Sequence, residues 1–218
     1  MVLSKRLQHP SVSERSNRND QALRTALCNP CGSFARRHHR IFIRALHPEK
    51  IDRLVVVDTG PELNTRGRGR IRRFTSKLDI LDSFDLFVAR AMKYNSRRPE
   101  WQIRGSLRHS LRKLPDGRWT WKYDPALRDP KLIAPKRPQT SEERWTLWES
   151  IKCPTLLIRG EQSDLLDRTV AERMKHTLPG SQFIEVAGSG HLVPGDKPLA
   201  FQSSLLRFLK MDSCLDIP

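Results

Sequence analysis

"CGSFARRHHRIFIRALHPEKIDRLVVVD", residues 31–58, is the stretch on which the reading of this chain turns. From Ala45 onward it is orderly. A helix end is followed by a turn at Pro48, and then by a run of Leu and β-branched residues, Arg53–Asp58, stopped by Gly60-Pro61. An apolar run with no polar alternation predicts a strand buried on both faces, as in the interior of a parallel sheet. Before Ala45 the letters are basic and aperiodic, apart from the short "IFI" at 41–43. The contrast at that one position sets the question for the rest of the chain.

Downstream, the same kind of signal recurs. "IKCPTLLIRG" predicts a second buried strand at Thr155–Arg159, and "SQFIEVAGSG" a third at Gln182–Val186. Between them, "DRTVAERMKHTLPG" predicts a helix ended by Pro179-Gly180, and "KPLAFQSSLLRFLK" predicts a closing helix. Residues 62–150 read as helical near 67–80, 83–94, 98–113 and 141–149, with Phe84, Phe87, Val88 and Ala91 spaced i, i+3, i+4, i+7 on one face. "LPDGRWTWKYDPALRDP" reads as a turn-rich hairpin or loop. Strand, helical insert, strand, helix, strand, helix is an α/β order with crossover connections between parallel strands.

The chain of 218 residues carries 40 Lys and Arg against 24 Asp and Glu, a net charge of +16. Residues 1–50 hold ten cations and three anions, residues 51–150 hold 22 and 13, and residues 151–218 hold eight of each. An anionic partner is therefore a hypothesis for the first two parts only. Hydrophobic content of 37% and a mean hydropathy of −0.59 leave no run near the roughly 18 residues of a membrane span. No apolar core of a secretory signal is present, and the Arg- and Ser-rich start suits either a transit peptide or a disordered tail; the default placement is cytoplasmic. Four cysteines do not make a disulfide framework in a chain of this size. Cys28 and Cys31 form one C-x-x-C, but a structural zinc needs about four ligands and His38 and His39 lack finger spacing. We expect no metal and no cofactor, with a zinc-binding tail as a minor alternative.

Two loops follow the carboxyl ends of predicted strands, where α/β sheets place their sites. "RGEQSDLL" carries Glu161 and Asp164, and "AGSGHLVPGDKP" carries His191 behind two glycines. Taken singly, Asp164 is a good helix N-cap and His191 a surface-loop histidine. Together, on neighbouring strand ends, a carboxylate and an imidazole are the pair that makes an oriented general base.

"HPEKIDRLVVVDTGPE", "PTLLIRGEQSDLL" and "GSGHLVPGDKPLAFQSSLLRFL" resemble the C-terminal two-thirds of an α/β-hydrolase-fold enzyme. "RGRGRIRRFTSKLDILDSFDLFVARA" and "SLRHSLRKLPDGRWTWKYDP" are similar to the helical cap that many members insert between two core strands. The resemblance covers about residues 45–210. It implies a partial parallel sheet with crossover helices at 45–61 and 150–212, a helical cap at 62–149, and a largely disordered or aberrant segment at 1–44. It implies Asp164 as the triad acid, His191 as the triad base, and a small molecule with an ester-like bond as substrate. It also turns the Arg-dense "TRGRGRIRRF" into a solvated amphipathic helix, and Trp101, Trp119, Trp121, Trp145 and Trp148 into core or hairpin packing. Nucleic acid and membrane are then not expected partners.

One part of the resemblance fails. The family needs a nucleophile on a tight G-x-S-x-G turn, about fourteen residues before the "HPE" proline. That count falls on Phe34. Ser33 is adjacent, but Arg36 and Arg37 stand where small residues must pack, so no nucleophile is evident. Regrouping allowed codons of Cys28–Arg37 by one frame permits an apolar strand running into G-H-S-R-G-G at the required place, and the pattern rejoins in frame at "ALHPEK". We therefore expect the segment before Ala45 to be read out of frame, and the earlier strands of the fold to be missing. The chain as written would then be inactive. A non-catalytic binding protein with a basic N-terminal half is the competing expectation.

Overall fold

The structure, a computed structural model, describes residues 25–28, 51–77, 79–125 and 139–210. Its centre is a parallel sheet of β1 (Thr25–Cys28), β2 (Arg53–Val57), β6 (Thr155–Gly160) and β7 (Gln182–Val186), in that spatial order. Every residue of β2 and β6 is buried, as continuous apolar runs require. Alternate side chains feed two separate cores. Leu54, Val56 and Leu157 pack with Trp145, Trp148, Leu166, Ala171 and Met174 on one face. Val55, Val57, Leu156 and Ile158 pack with Val186, Val193 and Phe208 on the other. At about 1.5–3 kcal/mol for each fully buried aliphatic side chain, these two strands anchor the fold.

The helices that close the faces follow their sequence signals. Helix α4 (Ser141–Glu149) starts in a capping box: Thr140 accepts from the Glu143 amide, and the Glu143 side chain accepts from the Thr140 amide. It supplies Trp145 and Trp148, and the Trp148 indole donates to the carbonyl of Met174 in α5 (Arg168–Thr177). On the opposite face, α6 (Val193–Asp196) and α7 (Pro198–Lys210) contribute Val193 and Phe208. Buried Arg53 ties α7 to β2 by donating to the Phe208 carbonyl at 2.7 Å, its guanidinium lying 5.5 Å from the Phe208 ring centre.

Between β2 and β6 the chain builds a second layer. Helices α1 (Thr65–Thr75), α2 (Phe84–Tyr94) and α3 (Glu100–Ser110) lie close to the expected helical stretches. The layer is not wholly helical, however. Strands β3 (Ile80–Leu81), β4 (Leu111–Lys113) and β5 (Trp119–Trp121) form an antiparallel sheet in the order β3-β5-β4. The physical reason is the Leu114–Arg118 turn, where Gly117 takes φ +88° and folds β4 back on β5. Phe87, Val88, Ile103, Leu107 and Leu111 form a third core there, with Phe84 and Trp121 against it. Trp101 departs from the packing expectation, since it is 72% exposed.

One element is described within the N-terminal segment. Thr25–Cys28 is a strand, paired in parallel with Arg53–Val56. A strand of four residues is too short to show a period in the sequence. The remainder of residues 1–44, with Ser33, Cys31, His38 and His39, lies outside the described residues.

Candidate active site

The carboxyl ends of β2, β6 and β7 converge at one edge of the sheet. Asp58 follows β2 directly and adopts φ +48°, a left-handed conformation that a non-glycine residue holds only when its surroundings fix it. Here they do. Its backbone amide donates to the Ile158 carbonyl at 2.7 Å, extending the β2–β6 ladder by one bond. Its fully buried carboxylate accepts from the Gly160 amide on Oδ1 at 3.1 Å, and from the Ser163 hydroxyl on Oδ2 at 2.5 Å.

The third partner of that carboxylate is His191. Its Nδ1 lies 2.8 Å from Asp58 Oδ2, and the imidazole is 8% exposed. A proton on Nδ1, donated to the carboxylate, leaves Nε2 with a free lone pair. The loop that carries the ring is held tightly. Gly160 has no room for a Cβ, which would sit 2.2 Å from the Gly190 carbonyl. Asp196 accepts the Gly190 amide on Oδ2 at 2.9 Å, and the Asn95 side chain on Oδ1 at 2.6 Å. The second layer thus grips the histidine loop through Asn95.

Asp164, the carboxylate expected to pair with His191, does not do so. It lines the same pocket, with Arg70, Tyr94, Asn95, Arg97, His191, Leu192 and Asp196. Its hydrogen bond, however, is to Arg70 of α1, at 3.1 Å. Two contacts fix it there. Arg70 is itself anchored by donating to the Tyr94 carbonyl and lying over the Tyr94 ring. Gly67 of α1 packs so closely that a Cβ would meet the Asp164 carbonyl at 2.2 Å. The N-cap role weighed for Asp164 is not filled by it either; Asp167 occupies the N-cap position of α5. Asp58 carried one signal in the sequence, a charge placed directly after four consecutive apolar strand residues, Leu54–Val57. Asn95, Asp196 and Ser163 carried none.

Helix α1 is the amphipathic element expected of "TRGRGRIRRF": Gly67 and Ile71 are buried, while Arg66, Arg68, Arg72 and Arg73 face outward. Among the described residues no helix is long and apolar enough to cross a membrane. Nor do any three His, Cys, Asp or Glu among them cluster as a metal site. The side chain of Cys28 and all of Cys31 lie outside the described residues.

No protein-family model matches the chain. An esterase of Mycobacterium tuberculosis, Rv0045c, is 26% identical over 171 residues, which cover 73% of this chain and 53% of the esterase. The solved structure of that esterase superposes with a TM-score of 0.66 at 20% identity, over 91% of this chain and 65% of the other. A crystal structure of an α/β hydrolase from Novosphingobium aromaticivorans gives a TM-score of 0.70 at 22% identity, over 86% and 66%. The chain thus spans about half the length of the curated relative it matches.

Proposed function

Starting from an α/β-hydrolase fold, which this chain has, we propose that it carries the base half of an active site for ester-like bonds in small molecules. His191 is the proton acceptor and Asp58 the acid that orients it. The observation that carries this reading is the 2.8 Å contact between His191 Nδ1 and a carboxylate that is wholly buried at a strand end.

The chemistry follows from that contact. With Nδ1–H directed at Asp58, Nε2 is the ring's only acceptor, and the buried carboxylate stabilises the imidazolium that forms when Nε2 takes a proton. The Gly160 amide and the Ser163 hydroxyl hold the carboxylate in place, so it cannot turn away from the ring. Asp164, neutralised by Arg70, is a wall of the pocket in this reading. The second layer, residues 62–149, acts as the cap over the site, gripping the histidine loop through Asn95. The similarity to an esterase supports the substrate class.

The attacking group is the part the chain does not spell. Strand β1 ends at Cys28, paired with Val56, so its carboxyl end lies at the same edge of the sheet as Asp58. The letters after it, "NPCGSFARR", contain no G-x-S-x-G. An oriented base without a nucleophile binds an ester but cannot accept its acyl group. In this reading the chain as written is inactive, and a segment 28–44 re-framed to carry G-H-S-R-G-G, which the codons of these residues permit, supplies the elbow.

Both halves are tested with nitrophenyl acetate. The chain as written should give no burst. A version with that segment re-framed to G-H-S-R-G-G should turn the ester over, and His191→Ala should lower its rate by about 10³-fold or more. A re-framed, folded protein with no turnover would reject the hydrolase reading. A burst from the chain as written, lost in His191→Ala, would reject the inactivity.

A further inference from the structure

Arg97 sits in the pocket with His191, in the α2–α3 connection, and its guanidinium, like that of Arg98 beside it on Gln102 and Ser106, is held by neutral groups where many other arginines are ion-paired. Arg70 faces Asp164, Arg104 faces Asp85 and Glu100, Arg118 faces Asp116, Arg159 and Arg168 share Glu185, and Arg173 faces Glu62. Arg97 forms no such ion pair among the described residues. Its anchors are neutral amides: its backbone N–H donates to Asn95 Oδ1 at 3.2 Å, and its Nε donates to Gln162 Oε1 at 2.8 Å. Those two bonds fix both ends of the residue without cancelling its charge.

The exposed guanidinium lies against the histidine loop: its Nη1 is 2.9 Å from where a Cβ on Gly190, the residue before His191, would stand. Of the two carboxylates that line the pocket, Asp164 is bound to Arg70, while Asp196, which accepts from the neutral Asn95 and Gly190 amides, lies near the same Gly190 position as Arg97 without bonding it. Among the described residues no carboxylate forms an ion pair with Arg97, so its Nη groups are a fork of donors beside the histidine. A fork of this kind matches a carboxylate through two parallel hydrogen bonds.

We propose that Arg97 is an anion-recognition subsite that selects ligands bearing a free carboxylate a few bonds from the ester group. This rests on the reading of His191 as the base of an ester site, but it concerns binding, which needs no nucleophile. Gln162 sets the direction of the guanidinium and Asn95 the position of its backbone. The ligand class is the half-ester of a short dicarboxylic acid.

The test is calorimetric titration of the full chain as it exists with monomethyl succinate and with dimethyl succinate, its neutral counterpart. We expect the half-ester to bind about tenfold or more tightly than the diester, and added salt to weaken the half-ester alone. Arg97→Gln should erase that preference, and Arg97→Lys, a point charge without the fork, should keep part of it. His191→Ala should retain the preference. Equal affinity for the two ligands in the unaltered chain, or an unchanged preference in folded Arg97→Gln, overturns the proposal. Should Arg97→Gln fail to fold, a salt-insensitive preference in the unaltered chain overturns it equally. Because no turnover is read, failure of the hydrolase reading in the re-framed protein leaves this result standing on its own.

Discussion

Asp58 Oδ2 accepts from both His191 and Ser163, at 2.8 and 2.5 Å, while Oδ1 takes the Gly160 amide. One buried carboxylate therefore joins the ends of three strands. Removing it leaves three donors without an acceptor in a buried site. Each such loss costs about 1–3 kcal/mol, so Asp58→Ala should destabilise the protein by about 3 kcal/mol or more. Asp164→Ala breaks a partly exposed ion pair and should cost at most about 1 kcal/mol. Urea denaturation of the two variants checks the order; equal losses would place the two carboxylates on the same footing.

The glycines make a second comparison. A Cβ at Gly160 would collide with the Gly190 carbonyl, and one at Gly67 with the Asp164 carbonyl, each at 2.2 Å. Both neighbours are backbone and cannot swing aside. Gly160→Ala and Gly67→Ala should each cost about 1–3 kcal/mol. Gly105, inside α3, has nothing within 4 Å of such an atom. Gly105→Ala should instead stabilise by about 0.5–1 kcal/mol, through helix propensity. Thermal melts of the three variants read the sign directly.

Trp148 and Trp101 test what burial is worth. Trp148 is fully buried, and its indole donates to the Met174 carbonyl. Trp148→Ala should cost about 3–5 kcal/mol, which threatens folding altogether. Trp101, 72% exposed on α3, should change stability by no more than about 0.5 kcal/mol when replaced by alanine. Denaturation midpoints and near-ultraviolet circular dichroism distinguish the two.

Acid should reveal Glu62. The Trp145 indole N–H donates to it at 2.6 Å and the Ser141 hydroxyl at 2.9 Å, and these bonds lower its pKa below the ordinary value of 4.5, aided by Arg173 and Arg144. A carboxylate whose pKa is lower in the folded state contributes stability above its unfolded pKa. That contribution is lost as the pH falls through the folded value. The stability gap between the unaltered protein and Glu62→Gln should therefore be constant at neutral pH and close in acid, below the ordinary glutamate range. Trp145→Phe, which removes the principal cause of the shift, should narrow the same gap. Melting curves across an acid titration check both; a gap that widens in acid would contradict the sign.

Much of this molecule is legible one residue at a time. β2 and β6 are runs of apolar residues too long to be half-exposed, so their burial on both faces needs no partner to be inferred. Helix α2 spaces Phe84, Phe87 and Val88 at the helical period, and Pro179-Gly180 ends the chain's run toward β7. The approach of His191 to a strand end is equally local, because "GSGH" follows the end of β7 after one residue, Ala187.

The partner of that histidine is not local. Asp58 and Asp164 are both carboxylates placed just after a strand, and nothing in their own neighbourhoods ranks them. The β2–β6 register brings Val57 opposite Ile158, which leaves Asp58 beside Gly160 and within reach of a ring 133 residues away. Arg70, 94 residues before Asp164, then engages the other carboxylate. That an imidazole and a carboxylate would meet at this edge follows from local residues, since strand ends are set by their immediate neighbours. Which carboxylate it is depends on the folded chain, because hydrogen-bond partners are chosen by strand register and by packing between segments far apart in sequence.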